Sequence, residues 1–124
     1  MAQPVTLFLY EKLLPGGQLV NRLQDLGYRV VTLNDPRQLI EHAEREKPLF
    51  IIADLEPREA DTCATITRLK KNSATSHIPV IAIAGAEKTA LQENARQAGA
   101  TLVVNDQAIL VHLNELLEQA LQVE

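Results

Sequence analysis

Five short apolar runs alternate along this chain with longer segments whose apolar residues recur three or four positions apart. The runs are Val5 to Leu9, Tyr28 to Leu33, Leu49 to Ala53, Val80 to Ala84 and Thr101 to Val104. They are rich in Val and Ile and nearly unbroken in apolarity, as strands buried on both faces are. The intervening segments carry single helical stripes: Leu19, Leu23 and Leu26; Leu39, Ile40 and Ala43; Cys63, Ile66 and Leu69; Leu91, Ala95 and Ala98; and Ile109, Leu113, Leu116, Leu117 and Leu121. Each stripe buries one face of a helix. Five βα units in succession predict a parallel sheet covered by helices on both sides.

The boundaries have matching chemistry. Gly27 and Gly99 follow the last periodic residue of their helices, where a left-handed backbone costs glycine little. Asp35-Pro36 reads as an N-cap followed by proline at the first helical position, and Asp61 and Asp106 are placed to cap the third and fifth helices. Pro15-Gly16-Gly17 reads as a turn leading into the first helix; it lacks the Gly-Lys-Ser/Thr of a phosphate loop.

Length and composition narrow the classes. At 124 residues the chain has the size of one domain, expected to span 1–124, and buries roughly two thirds of the surface its unfolded form exposes. Hydrophobic residues make up 46% and charged residues 23%, with a formal net charge of −4. That balance predicts no nucleic-acid partner, because a phosphate backbone is met by a strongly basic face. One cysteine, Cys63, permits neither an intrachain disulfide nor a cysteine-based zinc cluster. No run approaches the ~20 apolar residues that span a bilayer, so no membrane partner and a cytoplasmic location are expected.

In an open parallel sheet, chemistry sits at the carboxyl ends of the strands. Here that edge is predicted to hold Tyr10, Glu11, Asp54, Ala84, Gly85, Asn105 and Asp106. Asp54 stands out because it ends the buried run Phe50-Ile51-Ile52-Ala53, just before the Glu56-Pro57 loop.

The run FIIADLEP around Asp54, the stretch TSHIPVIAI from Thr75 to Ile83, the AGA of Ala98 to Ala100 and the LGYRV after the first helix resemble the receiver (CheY-like) domain of bacterial response regulators. The resemblance covers nearly the whole chain, including the spacings from Asp54 to Pro79 and from Glu11 to Gly27. It implies a flavodoxin-like three-layer α/β/α sandwich with five parallel strands in the order 2-1-3-4-5, and an aspartate ending the third strand that accepts phosphate.

The same resemblance implies five reacting groups, most of them altered here. Two acids after the first strand hold magnesium, which offsets the repulsion between carboxylate and phosphoryl group; those positions are Tyr10 and Glu11. The phosphoacceptor position is kept as Asp54. The hydroxyl residue ending the fourth strand is Ala84, which has nothing to donate. The lysine after the fifth strand is replaced by Asp106, inverting the charge, and the switching aromatic of that strand by Val103. Glu11 and Asp54 remain as a weak magnesium site, Asp106 reads either as an N-cap or as a third oxygen ligand, and Lys12 or Lys88 is the nearest source of a displaced cation.

These substitutions predict a degenerate pseudo-receiver: a non-enzymatic module of a two-component phosphorelay that needs no cofactor and acts by phosphorylation-independent binding to another signalling protein. Two alternatives stay open. One is an atypical phosphoacceptor using Asp54. The other is a small-ligand sensor whose emptied pocket is lined by Tyr10, Ala84 and Val103. His42, His77 and His112 share no ligand spacing and read as surface residues. The surplus leucines of the last helix, Leu113 to Leu121, predict a homodimer through that helix.

Overall fold

The computed structural model describes residues 4–10, 13–55 and 59–122, with the backbone alone for 13–16, 59–61, 106 and 122. Its strands are β1 (Val5–Leu9), β2 (Arg29–Leu33), β3 (Phe50–Asp54), β4 (Val80–Ile83) and β5 (Leu102–Val104). All pair in parallel, in the order β2-β1-β3-β4-β5. The parallel pairing is what the alternating pattern predicts and the flavodoxin-like order is what the resemblance implies, and each strand lies within one residue of its expected bounds at either end.

The helices are α1 (Leu13–Asp25), α2 (Leu39–Glu46), α3 (Glu59–Lys71), α4 (Thr89–Ala98), α5 (Asp106–Val111) and α6 (Leu113–Gln122). Because successive strand residues point to opposite faces, the sheet feeds two separate cores. On one face Leu7, Leu9, Ile51, Ala53, Val80 and Ala82 pack with residues of α2, α3 and α4. On the other, Phe8, Phe50, Ile52, Ile81 and Ile83 pack with residues of α1, α5 and α6. β3, the central strand, is fully buried from Phe50 to Ala53 and is only half-buried at Asp54.

The glycine stops hold: Gly27 and Gly99 have φ of 96° and 113°. At Gly99 close approach adds to the backbone demand, since a Cβ there would lie 2.7 Å from Lys70 Cγ. The Asp35-Pro36 start also holds, with the Asp35 carboxylate accepting from the Arg37 amide at 3.0 Å, though it opens a 3₁₀ turn (Pro36–Gln38) that leads into α2.

Four expectations are corrected. Pro15, Gly16 and Gly17 are helical, within α1; proline is tolerated there because its missing N–H falls in the first turn, where amides have no intrahelical partner. Asp61 is the third residue of α3 rather than its cap. The α5 cap is Asn105, whose side chain accepts from the Ala108 amide at 2.7 Å, leaving Asp106 as the first helical residue. Finally, the last helix is two helices parted at His112, whose non-helical backbone (φ −113°, ψ 27°) redirects the chain.

Candidate functional site at the carboxyl edge of the sheet

Strand register brings the candidate residues to one edge. Leu9 pairs with Ala53, Asp54 with Ile83, and Ile83 with Val104. The backbone ladder continues one residue past the strands: the Tyr10 amide donates to the Leu33 carbonyl at 2.9 Å, the Leu55 amide to Ile83 at 2.9 Å, and the Ala84 amide to Val104 at 3.0 Å. Tyr10, Asp54, Ala84 and Asn105 therefore stand in a row across four adjacent strand ends. Asp106 begins α5 immediately beyond. Glu11 and Lys12 lie outside the described residues, as does the Glu56-Pro57 loop.

The side chains of that row divide between the faces of the sheet. Tyr10 packs on the α1/α5/α6 side, its ring stacked on Phe8 with centroids 4.5 Å apart and planes at 26°. Ala84 and Val103 pack on the α2/α3/α4 side. Tyr10 therefore packs on the opposite side of the sheet from Ala84 and Val103. The groove beside Tyr10 is lined by Thr32, Leu33, Asn34 and Gln38.

Ala84 is completely buried, in the same apolar cluster as Leu55 and Ala53. Its side chain is a methyl group with nothing to donate. The loop after it is tied to α4: the Gln92 side-chain amide donates to the Gly85 carbonyl at 2.8 Å, and the Lys88 amide donates to the same oxygen at 3.0 Å. Lys88 itself is exposed. Gln92 is a residue of this edge that sequence reasoning missed, and Asn105, placed here from sequence, was missed as the cap of α5. Asn105 had a readable signal, an amide side chain directly after an apolar strand end and three residues before Ala108. For Gln92 there was none.

A hard divalent cation takes a cluster of oxygen ligands. Among the described residues no group of three or more His, Cys, Asp or Glu side chains is placed to hold one. Tyr10 offers a phenol in place of a carboxylate. The described donors do not by themselves fit a magnesium ion. His42 Nδ1 donates to the Gln38 carbonyl just before α2 at 2.9 Å, and His77 and His112 are exposed on separate segments. Cys63 is half-buried against the α2/α3/α4 core.

No protein-family model and no curated protein matches this sequence. Solved structures do, and the following three match over nearly their whole length. The receiver domain of a sensor histidine kinase from Pseudomonas aeruginosa, which holds a magnesium ion in its active-site cleft, superposes with a TM-score of 0.86 at 21% identity, covering 98% of this chain and 100% of that one. A provisionally assigned response regulator from Chloroflexus aurantiacus gives 0.88 at 15% identity, with 98% and 100% covered. A response regulator from Desulfuromonas acetoxidans gives 0.80 at 18%, with 96% and 97% covered. The fold is that of response-regulator receiver domains. No described helix is long and apolar enough to cross a membrane.

Proposed function

We propose that this chain is a receiver-type module of a two-component signalling system that works by binding another signalling protein, without a phosphorylation switch at Asp54. The observation that carries this reading is Ala84, fully buried one residue beyond the strand partner of Asp54. Phosphoryl transfer to a carboxylate relies on donors and cations aimed at the developing charge. At this edge a methyl group replaces the hydroxyl donor, Asp106 replaces the cation, and Tyr10 replaces one metal-binding acid.

A ligand or modification shifts a conformational equilibrium only through contacts that differ between the two states. With Ala84 and Val103 both packed into the α2/α3/α4 core, a phosphoryl group on Asp54 has no hydroxyl to draw in and no aromatic ring to rotate. The Gln92 bond to Gly85 adds a tie between α4 and the loop after β4. The module is non-enzymatic and cytoplasmic, needs no cofactor, and keeps at most weak magnesium binding through Glu11 and Asp54.

The test is incubation with magnesium and acetyl phosphate, or with beryllofluoride, followed by intact mass and backbone amide shifts. The expected result is no stoichiometric mass gain and only small shifts around Asp54. A full mass gain that disappears in Asp54→Asn, with large shifts along β4 and α4, would establish the phosphoacceptor alternative instead.

A further inference from the structure

The amino-terminal end of the sheet, opposite the edge just described, carries an apolar surface that no part of the receiver chemistry uses. Of the four exposed large hydrophobic side chains among the described residues, three lie there: Leu26 (44% exposed), Leu49 (43%) and Leu121 (36%). They line two neighbouring grooves. One is formed by Leu26, Tyr28, Asn114, Leu117, Glu118 and Leu121. The other is formed mainly by Pro4, Pro48, Leu49 and Pro79, with Lys47, His77 and again Leu121. Leu121 belongs to both, so the grooves are continuous.

Pro4, Tyr28, Leu49 and Pro79 each sit directly before a strand, so all four mark the amino-terminal end of the sheet. The broken last helix contributes too, because α6 runs to Leu121 at this same end. Most of its leucine surplus is otherwise spent: Leu113, Leu117 and Ala120 are buried and Leu116 is packed against the core, so the helix has no free leucine face of the kind expected from sequence.

The two grooves differ in charge. Among the described lining residues, the charged group of the first is the Glu118 carboxylate, while the second has Lys47 and His77. Arg29, at the start of β2, is already paired with Glu46 at 2.8 Å. A surface with an acidic half and a basic half meeting at one shared apolar residue is self-complementary under a two-fold rotation about that residue. Such an isologous contact sets each half against the opposite half of the other copy.

We propose that this end of the sheet is a homodimer interface, with Leu121 near the two-fold axis and Glu118 of each copy against Lys47 of the other. A second copy fits the alternation of charge, and the contact leaves the carboxyl edge of both protomers open. The inference is independent of whether Asp54 accepts phosphate.

Sedimentation velocity over a concentration series tests it on the intact chain. The wild type is expected to shift reversibly from monomer to dimer. Leu121→Lys should weaken the dimer by about tenfold or more, as loss of a central apolar contact does. Glu118→Lys and Lys47→Glu should each weaken it about three- to tenfold, and the double exchange should restore it to within about twofold, since opposite charges again face each other. Val111→Lys, at the exposed large hydrophobic side chain outside the grooves among the described residues (71%), should leave the dimer unchanged. Circular dichroism confirms that each variant is folded. A monomer at every concentration would overturn the proposal, as would a dimer broken by Val111→Lys but not by Leu121→Lys, or a double exchange no better than the single ones.

Discussion

Gln92 reaches from the first turn of α4 back to the carbonyl of Gly85, 2.8 Å away, and so ties that helix to the loop leaving β4. The bond is partly buried, which places its net worth near ~1 kcal/mol. Gln92→Ala should lower stability by about that amount in urea unfolding and speed amide exchange in the loop and the start of α4. Equal exchange in both proteins would mean that the side chain is not what holds the helix.

Gly99 and Gly27 separate two costs. Both adopt positive φ, but a Cβ at Gly27 meets nothing within 4 Å, whereas at Gly99 it would strike Lys70 Cγ. Gly27→Ala is expected to cost about 1 kcal/mol for the left-handed backbone alone, and Gly99→Ala about 2 kcal/mol or more. Adding Lys70→Ala to Gly99→Ala should recover part of the difference in chemical denaturation, because it removes the obstructing methylene.

Lys70 also supports a pH dependence. Its ammonium donates to the Ile78 carbonyl at 2.7 Å, and burial pushes its pKa below the ordinary 10.5. In the window between the lowered folded value and 10.5 the unfolded chain binds more protons than the folded one, so stability rises with pH there. Relative to Lys70→Met, the wild type should gain urea resistance as the pH rises toward the ordinary lysine value of 10.5. A constant difference across that range would show that the folded lysine titrates like the unfolded one.

Asn105, not Asp106, caps α5. Asn105→Ala should therefore cost about 1 kcal/mol, with the larger loss at the junction of β5 and α5. Asp106→Asn should cost only about 0.3–1 kcal/mol, the scale of a carboxylate in the first helical turn. Thermal unfolding of the two variants ranks them, and the reverse order would return the capping role to Asp106.

The alternation of apolar runs with helical stripes was enough to place all five strands and the helices between them, because burial on two faces leaves a periodicity that depends only on local order. The glycine stops and the Asp35-Pro36 start were legible for the same reason: φ preference and capping are properties of a few consecutive residues. Asp54 was legible as a strand-end carboxylate, and Ala84 and Val103 as groups unable to donate or rotate. What the tertiary structure decided is which residues share a side of the sheet. Tyr10 follows β1 at the carboxyl edge and Val103 lies in the middle of β5, and the pleat and the strand order send them to opposite cores. Likewise the leucines of the last helix read as surplus until the break at His112 turned Leu113 and Leu117 inward and left Leu121 at the far end of the sheet. Residue type and spacing set what each side chain can do; the packing of segments distant in sequence set which of them meet.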